Sequence, residues 1–383
     1  MKLAIIVPRW STDIAGGAER LAREYAGMLR DRHAVTILTT CALDHVSWRN
    51  VLPPGISEEP GLTVCRFPTA PRDHERYVQL QTRIGRGETL TEAEEDEWQQ
   101  QGVTSPELVA HVRATPYDLV IGMPYFFGVV QQGLLAAGRR AVLVPCLHPE
   151  PQAELRVVRA MVAGAGMVLF NAPEERALAL RLYGTVPGHG PIIGMGLDFD
   201  PTAPDQPAPG AQYLLYLGRK EAGKGTHQLA AYFLRYRERF PASTLKLLLA
   251  GGGDFPELPR LRGWLAARDF VDQAEKERLL RGALALAQPS ALESLSIVTL
   301  EAWRVARPVL VNGRSAVQRG NIERSGGGLW YDGEEMFIRE LRFLEEHPDQ
   351  AAVFGRRGWS YLRRHHDPAD VRDRLLAALA ERA

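Results

Sequence analysis

The stretch Leu284-Ala-Leu-Ala-Gln-Pro-Ser-Ala-Leu-Glu293-Ser-Leu-Ser-Ile-Val-Thr-Leu-Glu301 holds a short apolar run, a Pro-Ser break and two carboxylates with seven residues between them. The run Leu284–Ala287 reads as a buried strand, and Pro289 opens the loop that this strand delivers. Glu293 and Glu301 lie about 2.2 helical turns apart, a spacing compatible with one helix face. The arrangement expected is Glu293 in the loop and Glu301 on the helix behind it. Amides at such a helix start point outward and attract phosphate. One acid, a row of amides and a second acid suit a ligand with hydroxyls at both ends and phosphate between, as in a sugar nucleotide. The competing reading is a surface helix with two unrelated acids, and the rest of the chain decides between them.

At 383 residues the chain is too long for one ordinary core, so two domains are expected. Apolar residues make up 45% and charged residues 24%, as in a soluble globular protein. Lys+Arg and Asp+Glu are both 46, so no global field favours nucleic acid, and no nucleic-acid partner is expected. The three cysteines, Cys41, Cys65 and Cys146, form no CxxC pair, which argues against a disulfide framework or a zinc site. The N-terminal apolar run Leu3–Val7 is too short for a signal peptide, and no run reaches the ~18 apolar residues of a membrane span. A cytoplasmic location is expected, and a peripheral contact with the inner membrane face is compatible with it.

From the N-terminus, Lys2–Val7 reads as a parallel strand. A loop from Pro8 leads to Gly16-Gly17-Ala18-Glu19, which opens a helix to about Arg30, and Ala34–Thr39 is the next strand. This β-loop-α-β start is Rossmann-like, but the loop lacks GxGxxG, so a dinucleotide fingerprint is absent. Two glycines before a helix still let amides approach an anion. Leu62–Phe67, Tyr117–Gly122, Arg140–Pro145 and Met167–Phe170 read as further strands. Between them, Pro71–Ala114 changes character. Basic residues (Arg72, His74, Arg76, Arg83, Arg86) precede five acids (Glu92, Glu94, Glu95, Asp96, Glu97), and the segment reads as helices on the rim with a solvated charged face. His148 and Glu150 follow a strand, where ligands bind in open α/β sheets. Asn171 is expected to cap a helix with Pro173 in its first turn. The Pro-rich segment 200–210, with Pro201, Pro204, Pro207 and Pro209, reads as an interdomain linker. Asp198-Phe-Asp200 has the form of a metal-binding DxD, but it abuts that linker with no third ligand near and is read as punctuation.

The βα rhythm then restarts with a strand at Gln212–Leu217. The turn Gly218-Arg219-Lys220-Glu-Ala-Gly-Lys224-Gly225 follows, and a helix begins at Thr226. Cations and glycines between strand and helix form an anion cradle that is not a Walker A loop. Leu245–Ala250 is a strand ended by Gly251-Gly-Gly253. Helices are expected at 258–268 and 275–282, a strand at Pro308–Val311, and a basic helix from Trp359 to Arg382.

In this order, Gly16-Gly17-Ala18-Glu19, the Asn171 segment, Gly196-Leu-Asp198, Gly218-Arg219…Lys224-Gly225, Gly251–Gly253 and Pro289-Ser290…Glu293-x7-Glu301 resemble the retaining nucleotide-sugar transferases of glycosyltransferase family four. The resemblance spans nearly the whole chain and is strongest in its second half. It implies the GT-B fold: α/β, with two Rossmann-like domains whose parallel sheets face across a cleft. It also implies a first domain over 1–198, joined by a C-terminal helix over about 360–383 that crosses back, and a nucleotide-sugar domain over 199–359. By this resemblance, the Gly16-Gly17 loop would offer the Gly17 amide to the donor phosphate. Arg219 and Lys224 would neutralise the diphosphate without a metal or other cofactor, and Glu293 would bind sugar hydroxyls. The amides of Leu295, Ser296 and Ile297 would contact sugar or phosphate, and Glu301 would take the ribose hydroxyls. His148 would contact a donor-sugar hydroxyl, with Glu150 on the acceptor side.

Two departures from the family pattern stand out. Its Glu-Gly-Phe-Gly is Glu293-Ser-Leu-Ser296 here, which adds side chains beside the sugar, and Pro149 replaces an acid after His148. The reaction implied is transfer of a hexosyl unit from a UDP- or GDP-linked sugar, with retention, to a glycan, glycolipid or small-molecule hydroxyl. The alternatives are a degenerate nucleotide-binding subunit and a related sugar phosphorylase or epimerase.

Overall fold

The computed structural model describes residues 1–11, 14, 16–200, 202 and 213–382. Most of the Pro-rich segment, and Gln212 of the strand expected there, lie outside these residues. The chain divides into two units, Met1–Gly196 with Ala369–Ala383, and Leu197–Pro368.

The first unit runs β1 (Lys2–Ile6), α1 (Gly17–Leu29), β2 (Ala34–Thr40), β3 (Gly55–Glu59), β4 (Leu62–Phe67), α2 (His74–Gly85), α3 (Glu92–Gln101), α4 (Pro106–Ala114), β5 (Leu119–Gly122), α5 (Gly128–Ala137), β6 (Ala141–Leu143), α6 (Arg156–Gly164), β7 (Met167–Val168) and α7 (Pro173–Tyr183). Its sheet has the order β3-β4-β2-β1-β5-β6-β7. Every pairing is parallel except β3 with β4. The continuously apolar strands are those buried on both faces, as β1 is from Leu3 to Ile6. β3 (Gly-Ile-Ser-Glu-Glu) is an exposed antiparallel edge with little apolar content, so its hydrophobic pattern gives no strand signal. The charged segment 71–114 forms α2, α3 and α4. Its basic and acidic halves pair with each other: Arg76 lies 2.6 Å from Glu97, and Arg83 lies 2.5 Å from Glu94 and 3.0 Å from Glu88. Beneath them Trp98, Leu80 and Ile84 join the core of the unit.

The second unit runs β8 (Tyr213–Leu217), α8 (Thr226–Arg239), β9 (Lys246–Ala250), β10 (Leu265–Arg268), α9 (Gln273–Gly282), β11 (Ala285–Gln288), α10 (Ile297–Arg304), β12 (Val309–Asn312), α11 (Ala316–Ser325), β13 (Gly328–Tyr331), α12 (Glu334–Glu346) and α13 (Pro348–His365). Its sheet, in the order β10-β9-β8-β11-β12-β13, is wholly parallel. The helix expected over 258–268 is not formed. A 3₁₀ turn at Pro259–Leu261 leads into β10, whose Leu265 pairs with Leu247 of β9. Backbone pairing at a sheet edge overrides the modest helical preference of Leu-Ala-Ala-Arg.

The basic C-terminal segment is also not one helix. It breaks at His366–Asp367, and Pro368 starts α14 (Pro368–Ala380). Grouping with the first unit begins at Ala369, after this break, rather than near residue 360. Among the described residues, no helix is long and apolar enough to cross a membrane.

Candidate active site

In a doubly wound sheet, ligands bind beyond the strand carboxyl ends where the strand order reverses. In the second unit that point lies between β8 and β11, which pair with each other. The turn after β8 carries Arg219 and Lys224, and the loop after β11 carries Glu293.

The β8 turn is stitched to the glycine run after β9. The Gly218 amide donates to the Ala250 carbonyl (3.0 Å) and the Lys220 amide to the Gly252 carbonyl (2.8 Å). Gly251 has φ +140°, and a Cβ there would stand 2.1 Å from the Gly218 carbonyl oxygen, so this close approach requires glycine. Lys220 is buried, and its Nζ donates to the Arg268 carbonyl at 2.8 Å and to Asp269 Oδ1 at 3.3 Å. Its charge fastens the end of β10 instead of joining the cradle. Arg219 is half-exposed and pairs with Glu221 at 3.0 Å, while the Tyr216 hydroxyl donates to its carbonyl at 2.7 Å. Burial, reinforced by the Glu293 charge, pushes the Tyr216 hydroxyl well above its usual range. Lys224 Nζ lies 3.0 Å from Glu293 Oε1.

Three buried amides brace the loop that carries Glu293. Asn312 Nδ2 donates to the Pro289 carbonyl (2.9 Å), Gln318 Nε2 to that of Ser290 (2.6 Å) and Asn321 Nδ2 to that of Leu295 (3.4 Å). Glu293 thus sits in a braced loop. Leu295 and Ser296 precede α10, and Ile297 is its first residue. Ser296 is left-handed (φ 64°, ψ 71°) although not glycine, and its hydroxyl pairs with Thr299 Oγ1 at 3.0 Å. Glu301 lies on α10, buried, in an ion pair with Lys276 of α9.

In the first unit Gly16 is the N-cap of α1 and Gly17 its first residue. Positions 12, 13 and 15 of this loop lie outside the described residues. The Glu19 carboxylate folds back over the helix start, so that a Cβ on Gly16 would lie 1.9 Å from its Oε2. Arg9 neutralises it at 2.5 Å. His148 follows β6, two strands away in the sheet. Its Nδ1 is 3.3 Å from Glu150 Oε1, which also accepts the Tyr125 hydroxyl at 2.7 Å.

Asn171 is not the expected cap. Ala172 is the N-cap of α7, and the Asn171 side chain turns to Cys146 Sγ (3.8 Å). Glu175, in the first turn, instead turns back over the helix start and accepts from the Asn171 amide at 2.6 Å and from the Leu147 amide at 2.7 Å. Asp200 of the Asp-Phe-Asp segment accepts from the Thr202 amide at 2.9 Å, a local turn.

The structure therefore brings Lys224 and Glu293 into contact, sets Arg219 in the same turn as Lys224 and places Glu301 on the helix behind. Sequence reading missed Lys276, Arg9, Tyr125, Glu175 and the bracing amides, each a partner from a distant element. Only Glu175 had a local cue, an acid three residues past a helix start.

Residues 211–347 match the family model described as glycosyl transferases group 1. The chain is 29% identical over 233 residues to a D-inositol 3-phosphate glycosyltransferase of Kribbella flavida, covering 51% of this chain and 54% of that protein. The chain spans about half the length of the curated relatives it matches. Among solved structures it is similar to sucrose-phosphate synthase of Thermosynechococcus elongatus, with TM-score 0.69, 16% identity and coverage of 99% and 98% of the two chains. It is also similar to Anabaena HepE in complex with UDP and glucose, with TM-score 0.65, 15% identity and full coverage of both chains. At these identities the structures show the fold, which is GT-B. The match to glycosyl transferases group 1 thus falls on the second unit, in a chain with the GT-B fold.

Proposed function

We propose that this protein is a metal-independent, retaining hexosyltransferase. It moves a sugar from a UDP- or GDP-linked donor to a hydroxyl of a glycan, glycolipid or small molecule. The observation that carries this reading is the 3.0 Å contact between Lys224 and Glu293 at the switch point of the second sheet. It sets a cation for phosphate beside an acid for sugar, with Glu301 behind them for the ribose. The UDP bound to Anabaena HepE, a protein of the same fold, supports a nucleoside diphosphate in such a site.

When the donor binds, its diphosphate draws Lys224 and Arg219 from their carboxylate partners, and Glu293 turns to the sugar hydroxyls. The departing nucleotide gains charge as the glycosidic bond breaks. Two cations held in place stabilise that charge more in the transition state than in the ground state. Glu301 accepts both ribose hydroxyls. The start of α10, with the amides of Leu295, Ser296 and Ile297, faces sugar or phosphate, and the Gly17 amide contributes a further donor. His148, oriented through Nδ1 by Glu150, presents Nε2 to a sugar hydroxyl. No carboxylate is assigned as a nucleophile at the anomeric carbon. Retention is assigned to front-face attack, with the leaving phosphate taking the acceptor proton. Arg219 and Lys224 carry the neutralisation of the diphosphate.

Calorimetry against the diphosphates of uridine, guanosine, adenosine and thymidine, followed by donor turnover with EDTA present, tests the reading. One nucleotide is expected to bind, and its sugar to be transferred with the anomeric configuration kept by NMR. Glu293→Gln is expected to lower kcat/KM by about 100-fold, and Lys224→Ala by at least as much. Failure to bind any diphosphate would favour the degenerate subunit. Consumption of free phosphate would favour a phosphorylase.

A further inference from the structure

We infer that Glu175 is a positioning residue for His148, its carboxylate fixing the backbone from which the imidazole projects. The inference rests on the reading of His148 as a donor-sugar contact. Glu175 stands in the first turn of α7 with 1% of its surface exposed. One oxygen accepts the Asn171 amide at 2.6 Å, at the residue before the N-cap Ala172, as an acid turned back over its helix start does. Capping does not account for the other oxygen, which accepts the Leu147 amide at 2.7 Å, one residue before His148. A single carboxylate thus ties together the loops that leave the paired strands β6 and β7.

The tied segment needs holding. Cys146, two residues before His148, has φ +52°, a left-handed conformation unfavourable for a residue that carries a Cβ. The ring itself is held by Glu150 and through it by Tyr125. Backbone and ring are therefore set by two different acids. A buried carboxylate is costly to hold. Burial pushes Glu175 up to about 7, against the bonds from Asn171, Leu147 and Ala172 and the nearby His148. The titratable groups that act on it are His148 after β6 and Tyr25 on α1, and Tyr25 in turn feels Cys146 after β6 and Arg374 on α14. Protonation near neutral pH leaves one of the two amides facing an O–H in place of an acceptor.

The test is Glu175→Gln in the full chain, which keeps the shape but turns an NH2 toward one of the amides. The expected result is a fall in kcat of about 100-fold, with donor KM changed less than about threefold. The limb of the wild-type kcat profile near pH 7 is expected to vanish, and Glu175→Asp to recover part of the loss. Wild-type kcat with an unchanged pH profile in Glu175→Gln would overturn the inference. His148→Ala separates the two levels. If His148→Ala is inactive and Glu175→Gln is not, positioning fails alone; if His148→Ala is fully active, the reading of His148 fails with it. Should Glu175→Gln not fold, amide exchange of the wild-type protein decides. Protection at Leu147, corrected for intrinsic rate, is expected to fall from pH 8 to pH 6, and flat protection overturns the proposal.

Discussion

Ser296 holds a left-handed conformation that costs a side-chain-bearing residue roughly 1 kcal/mol and glycine almost nothing. It is compensated by the buried hydroxyl contacts to Thr299 and, at 3.5 Å, to the Gln288 side chain. Ser296→Gly removes both the strain and the bonds, so its stability should stay within about 1 kcal/mol of wild type. Ser296→Ala keeps the strain and loses the bonds, and should cost about 1–2 kcal/mol. Urea denaturation of the pair measures the difference. Glu175 makes a second prediction. Its raised pKa means that the folded chain holds a proton there while the unfolded chain has released it, between the ordinary glutamate value of 4.5 and about 7. Its contribution to stability is present in full below that window and is lost as pH rises through 7. The Tm of wild type minus that of Glu175→Gln should therefore fall from pH 5 to pH 8; a constant difference contradicts the buried state of this carboxyl. At this scale the sequence placed Glu293 in a loop and Glu301 on a helix, because a Pro-Ser break and an apolar run are local signals. It misassigned the cap of α7, because Asn171 meets Cys146 and Glu175 meets Leu147 only after folding.

Among the elements, α10 matters most, since it carries Glu301 and begins at the braced loop. Two glycines of α13 let Trp303 and the turn after α10 come close to its backbone. A Cβ on Gly358 would lie 2.2 Å from Trp303 Cδ1, and one on Gly355 would lie 1.9 Å from the Ala306 carbonyl oxygen. Trp303 is fully buried, and its indole donates to the Gly327 carbonyl at 2.9 Å. Gly358→Ala must push α13 from α10 and should destabilise the protein by about 1–3 kcal/mol. Because α10 moves with it, affinity for the nucleoside diphosphate should fall as well; a variant that loses stability and keeps affinity would show that α13 only covers the core. The elements read correctly from sequence were those with strong apolar periodicity, such as β1, α1, β8 and β9. In the segment 258–268, Leu-Ala-Ala-Arg has helical preference, and pairing with β9 overrides it. The polar edge β3 had no local pattern to find.

As a whole, the molecule is two α/β units, each with a core of its own. If the nucleotide site belongs to the second unit, a diphosphate at 100 times its Kd should raise that unit's stability by about 2.7 kcal/mol. For a unit of this size that corresponds to a Tm rise of roughly 5–10 °C, read by calorimetry. The rise should be absent in Glu301→Ala, which removes the ribose acceptor. A shift confined to the first unit's transition would move the nucleotide elsewhere. The structural neighbours, at 16% and 15% identity, keep this architecture while most side chains differ, so the layers depend on patterning more than on particular residues.

The sequence by itself determined the parallel α/β class, the restart of the βα rhythm near residue 213 and the ordered set of glycine, cation and acid motifs. These follow from periodicity and turn chemistry, which act over a few neighbouring residues. Only the tertiary structure decided which charges become partners: Lys224 with Glu293, Lys276 with Glu301, Arg9 with Glu19, and Glu175 with the amide before His148. Most of these pairings join residues far apart in the chain, and the closer pair, Arg9 and Glu19, still spans a loop and a helix start. The physical reason is burial. A charge removed from water must find a partner wherever the packed elements bring one, and no local pattern in the chain records where that will be.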